Sequence, residues 1–207
     1  MSNFSSRVAA NILPLSVKKT LTEAVTEWSF TEQVHDHEQA IATCQLCEQE
    51  DLRYHFMIKN AFTEGRLWVG SSCILRFGVS VFENGRTLTP ADAKKKLDRL
   101  TEKMHQDFCV KALKSLAQSE KNAILTNALN YYLLHGELTP KYAFVVLWRL
   151  QANKINHSAS FFKISLKKDR CKKALADMPL SNVHTIWPAL TTSQRAMAAK
   201  FGHSAPL

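Results

Sequence analysis

A chain of 207 residues that is 45% hydrophobic can bury a core in one large domain or two small ones. It has no apolar run of bilayer-spanning length, and its start, MSNFSSRVAANILPLSVKK, lacks a signal-peptide core and cleavage site, so the expectation is a soluble cytoplasmic protein with no membrane partner. Lys and Arg number 27 against 18 Asp and Glu, a net charge of +9, which favours polyanionic partners: nucleic acid, a nucleoprotein or an acidic protein surface.

Taken in chain order, residues 15–25 predict a short helix with Leu15, Leu21 and Val25 on its apolar side. WSFTEQV, residues 28–34, alternates and predicts a strand. Residues 44–77, CQLCEQEDLRYHFMIKNAFTEGRLWVGSSCILRF, then combine a Cys-x-x-Cys turn, two short apolar runs around a polar turn, and a third cysteine behind Gly70-Ser71-Ser72. Knuckle, hairpin and helix in that order describe a treble-clef-like module. From Pro90 the pattern becomes helical. Thr89 and Thr139 are N-caps followed by a first-turn proline. The first helix is expected to reach about Leu116 with a break near Thr101, and the next to start at Ser119 and stop at Gly136. LTPADAKKKLDRL and LTPKYAFVVLWRL share apolar positions at identical offsets, read here as two helices with a common start signal. YAFVVLWRL is apolar nearly all round, which predicts a buried central helix with Phe144, Val145, Leu147 and Trp148 inside. A last helix is expected from Thr191 or Thr192 to Gly202. The fold class is therefore α+β: a zinc and β-hairpin module in residues 1–80, followed by an all-helical bundle in residues 81–207.

The five cysteines are an odd number with three clustered, which in a reducing compartment favours metal ligation over disulfides. Zinc takes four thiolate or imidazole ligands in a tetrahedron. Cys44 and Cys47 can aim two sulfurs at one ion from a single turn, and Cys73 falls at a helix start where a thiolate is favoured. The residues after Cys73 offer no second ligand, so the fourth must come from elsewhere. His55 on the outgoing strand is the expected fourth ligand, with His37 as alternative and His35 beside it; the plainer reading of His55 is a half-buried strand histidine. Cys109 and Cys171 are expected to be structural. Three thiolates leave Zn2+ a poor Lewis acid, and neither the His-x-Glu with Pro-Cys-x-x-Cys pattern of deaminases nor His-Glu-x-x-His occurs. The zinc is therefore expected to be structural and the protein not an enzyme; a zinc-dependent enzyme acting on nucleic acid is the weaker alternative. Gly-x-Ser-x-Gly and Walker A loops are missing too. The run Lys94, Lys95 and Lys96 reads as a solvated helix face. The denser group Lys163, Lys167, Lys168, Arg170, Lys172 and Lys173, with Phe161 and Phe162 alongside, is the expected nucleic-acid or partner surface. On a helix, Lys163, Lys167 and Arg170 would share one side.

The segments WSFTEQV, CQLCEQEDLRYHFMIKN and LWVGSSCILRF resemble a family of small, mostly uncharacterised zinc-type proteins of bacterial plasmids, prophages and integrative conjugative elements. The likeness is sharpest over residues 28–77 and extends more loosely through LTPADAKKKLDRL, LTPKYAFVVLWRL and VHTIWPALTTSQR. It implies Cys44, Cys47 and Cys73 as ligands and is silent on chemistry. Glu48 stands where such knuckles often carry glycine. Mobile elements carry many small proteins that disarm host defences, so the resemblance also implies an alternative function, inhibition of a CRISPR complex or a restriction enzyme.

Overall fold

The computed structural model describes residues 2–206. They form a mixed α+β fold, mostly helical, with a three-stranded antiparallel sheet and a separate two-stranded one. The chain divides into two compact units, Met1–Met104 and His105–Leu207. The boundary expected at 80/81 lies inside the first unit, whose core includes Val81, Ala93 and Leu97. Among the described residues, no helix is long and apolar enough to cross a membrane.

The first unit opens with α1 (Ser2–Ile12), which sequence reading missed, and α2 (Leu21–Ala24). The helix expected over 15–25 is reduced to that single turn. The cause is tertiary: the carboxylate of Glu27 accepts the N–H groups of Val17 at 2.9 Å and Lys18 at 2.7 Å, holding both amides out of a helical ladder. The same carboxylate accepts from Asn60 Nδ2 at 2.8 Å. Strands β1 (Trp28–Asp36), β2 (Tyr54–Asn60) and β3 (Arg66–Val69) pair in sequence order. Alternation sends Phe56, Ile58, Leu67 and Val69 into the core with Trp28 and Phe30. β1 is irregular between Phe30 and Val34, where Glu32 has φ +68°. Trp28 is fully buried, and its indole N–H donates to Ser16 Oγ at 2.9 Å, the partner a buried indole requires. α3 (Ser71–Phe77) follows, closed by Gly78 in the left-handed region. A small hairpin, β4 (Phe82–Glu83) and β5 (Arg86–Thr87), leads to α4 (Pro90–Ser119). α4 runs through Thr101 without the expected break; the Thr101 hydroxyl donates to the Leu97 carbonyl within the helix.

After Met104 every named element is helical: the rest of α4, α5 (Ala123–His135), α6 (Pro140–Ala152), α7 (Asp169–Ala176), α8 (Leu180–Ile186) and α9 (Thr192–Lys200). Asn122, rather than Ser119, caps α5. Thr139 caps α6, and Thr191 with Gln194 forms a capping box on α9. α6 buries Ala143, Val146, Leu147 and Leu150, an i, i+3, i+4, i+7 stripe. The expected burial of Phe144, Val145 and Trp148 with Leu147 fails in part. Phe144 and Val145 are only partly covered, and Trp148 is 45% exposed with the Arg149 guanidinium 4.7 Å above its ring. A bundle centred on Trp148 is thereby corrected: position 148 lies off the buried stripe.

Candidate metal centre

The knuckle is a turn built by backbone hydrogen bonds. The Glu48 N–H donates to the Cys44 carbonyl at 2.8 Å and the Cys44 N–H to the Gln49 carbonyl at 2.9 Å. Glu48 and Asp51 take left-handed conformations, φ +62° and +58°. The knuckle docks on β3 through Gln45. Its N–H donates to the Trp68 carbonyl at 2.9 Å, and its side-chain oxygen accepts the Trp68 N–H at 2.7 Å. β3 then leads through Gly70 into α3, which delivers Cys73 from its first turn.

These connections bring three buried sulfurs together. Cys73 Sγ lies 3.7 Å from Cys44 Sγ and 3.2 Å from Cys47 Sγ, and all three fall within 4.8 Å of one another. The spacing is far beyond a disulfide, and all three are free thiols. An ion with metal–sulfur bonds of about 2.3 Å places its sulfurs about 3.8 Å apart at tetrahedral angles, so this trio fits a metal after small adjustment. Electrostatics point the same way. Donation from the Cys73 thiol holds Cys44 down to about 5, despite burial. Cys73, hydrogen-bonded to Cys44 and buried, is pushed the other way. The cluster thus favours negative charge shared among sulfurs, which a cation would complete. A cavity of about 410 Å³ opens beside the sulfurs, lined also by Gln49, Ser72 and Arg76.

The expected fourth ligand is not part of this set. Among the described residues, no histidine nitrogen joins the three sulfurs within 4.8 Å. His55 is buried, 7% exposed, and its Nδ1 lies 3.2 Å from His37 Nε2. The reason is strand alternation: Phe56 and Ile58 pack in the core that contains the sulfurs, and His55 has the opposite parity. Cys109 and Cys171 are buried in the second unit's core.

Lys163, Lys167, Lys168, Arg170 and Lys173 are exposed and Lys172 is partly covered. They do not share a helix. Residues 163–168 precede α7, and the Lys163 carbonyl and Ser165 N–H bond the Leu138 backbone. The expected common helical side for Lys163, Lys167 and Arg170 is therefore absent. Lys167 pairs with Glu137 at 3.3 Å and Lys172 with Asp169 at 2.9 Å. The other four have no ion pair among the described residues. In the lysine run, Lys94 and Lys95 are exposed and paired with Asp98 and Asp92, whereas Lys96 is buried against Glu32 and the Phe82 carbonyl.

The charge distribution escaped sequence reading. The first unit holds 13 Lys and Arg against 13 Asp and Glu; the second holds 14 against 5. The whole excess of +9 belongs to the second unit. Counting charge on either side of residue 104 would have found it. No family model, curated protein or solved structure matches the chain.

Proposed function

We propose that this is a non-catalytic binding protein in which Cys44, Cys47 and Cys73 hold a structural Zn2+ and the basic second unit contacts nucleic acid. The observation that carries the reading is the segregation of charge: a neutral unit containing the thiols and a unit of net +9. A cationic unit of this kind attracts phosphate backbones and releases their counterions on binding. The zinc would fasten the knuckle to α3, and three thiolates would leave it a weak Lewis acid.

The test is a salt series of equilibrium binding to duplex DNA, single-stranded DNA and RNA. Lys163, Lys168, Arg170 and Lys173 are replaced together by Ser, because they are exposed and make no ion pair among the described residues, so folding should be little affected. The slope of log affinity against log salt should flatten by roughly 0.7–0.9 for each phosphate that is no longer neutralised, up to about 3–4 in all. Wild-type protein that binds none of the three polymers overturns the reading. If a nuclease-treated host lysate then yields a bound defence complex, inhibition of that complex replaces it.

A further inference from the structure

We infer that His37 and His55, with His35 as a third donor, form a second metal site, for a divalent first-row transition ion, on the β1–β2 ladder. It is separate from the sulfur trio. His35 and His55 are direct cross-strand partners, so their side chains share one face of the ladder. His37 lies two residues on, so it has the same parity as His35. Its N–H donates to the Arg53 carbonyl at 2.9 Å, continuing the pairing beyond β1.

The separation of the two nearest nitrogens is the central geometric fact. His37 Nε2 and His55 Nδ1 lie 3.2 Å apart. An ion with metal–nitrogen bonds of about 2.0–2.1 Å sets adjacent imidazole nitrogens about 3.3 Å apart at tetrahedral angles. In this structure the two nitrogens share a hydrogen bond; an ion would displace the shared proton and need the rings to turn toward it, with their separation hardly changed. The His55 ring is more than nine-tenths buried, and its Nε2, on the side away from His37, has no hydrogen-bond partner among the described residues.

There is room for the ion. A cavity of about 260 Å³ is lined by His35, His37, His55 and Trp68. The Trp68 ring stacks near that of His55, centroids 6.2 Å apart and planes at 19°, and shields one side. His35 is exposed, with its ring centroid 4.4 Å from that of His37; the three histidines do not form a group with all ligand atoms within 4.8 Å, so His35 would have to rotate to join. Water would complete the shell. Imidazole donors suit Ni2+, Co2+, Cu2+ or Zn2+, whereas thiolates favour softer ions, so the two sites should differ in preference.

The experiment is titration of the full-length, zinc-loaded protein with Ni2+, read by native mass spectrometry and by quenching of tryptophan emission. One Ni2+ should bind beyond the zinc, and the quenching should disappear in Trp68→Phe. His37→Gln should weaken this second ion by about 100-fold or more while zinc stays bound. His35→Gln, at an exposed position, should weaken it less and gives a readout that does not depend on a half-buried substitution. Cys44→Ser with Cys73→Ser should remove zinc and leave Ni2+ binding in place. The inference is overturned if saturating Ni2+ adds no second ion, or if both histidine variants bind it like wild type. It is overturned equally if His37→Gln releases the zinc, since His37 would then serve the sulfur trio. Failure of the thiolate site alone appears as zinc-free wild type that still takes Ni2+.

Discussion

Cys73→Ser offers the sharpest probe of the thiolate centre. α3 has seven residues, fewer than an isolated helix needs to persist in water. Its buried side chains are Cys73 and Ile74. A buried isoleucine contributes about 1.5–3 kcal/mol, too little to offset the ordering of two turns. A bound ion would add what is missing. At free metal about 1,000 times its dissociation constant, it stabilises the site by about 4 kcal/mol. Losing one of three sulfurs should forfeit most of that, so α3 amides should exchange about 1,000-fold faster in Cys73→Ser than in metal-loaded wild type. The measurement is hydrogen exchange by mass spectrometry, with metal content determined on the same samples. Chelated wild type separates loss of the ion from the substitution itself and should resemble the variant. The reasoning fails if Cys73→Ser keeps a full equivalent of metal, or if chelation leaves exchange in α3 unchanged.

Adjacent residues of α6 should respond in the order of their burial. Leu147→Ala should cost about 2–5 kcal/mol, and Trp148→Ala about 1–2 kcal/mol, because a ring 45% exposed leaves no enclosed cavity when removed; urea titration of both variants checks this, and the reverse order would restore Trp148 to the core. The second expectation concerns acid. Burial alone would raise the Glu27 carboxyl, but hydrogen bonds from Asn60, Val17 and Lys18 outweigh it and hold it below the ordinary 4.5. The unfolded chain therefore binds the proton first. Glu27 stabilisation is complete above 4.5, and is lost as the pH falls through the lower folded value. Glu27→Gln should reduce stability at neutral pH and flatten that acid slope in denaturant titrations; a parallel slope in the variant would refute it.

Local chemistry made much of this architecture readable before the structure. Gly136, the Thr-Pro starts of α4 and α6, and the alternation at the start of β1 all act within a few residues, and each marks an element end or face as expected. The three cysteines were legible because a knuckle, a hairpin and a helix start leave little freedom in where their sulfurs meet. What stayed hidden depends on distant contacts. The loss of helix near Val17 follows from a carboxylate ten residues on. The separation of His55 from the sulfurs follows from the parity of β2, which a sequence without a known register does not fix. Trp148 was misplaced because an apolar run gives no phase for the helix that carries it.

Glu48 has a consequence for how the cysteine segment can be treated. A glycine there would adopt the left-handed turn without strain, whereas a glutamate gives up about 1–2 kcal/mol. Its carboxylate, however, accepts from Asn11 Nδ2 at 3.1 Å and pairs with Arg7 at 3.9 Å, while Asn11 also donates to the Leu46 carbonyl at 3.2 Å. Helix α1 thus braces the knuckle from outside. The cysteine segment is consequently not a cassette. Cut out as residues 42–77 and grafted onto another scaffold, it would carry its thiols and its strained turn but leave the brace behind; the smallest portable piece begins with α1.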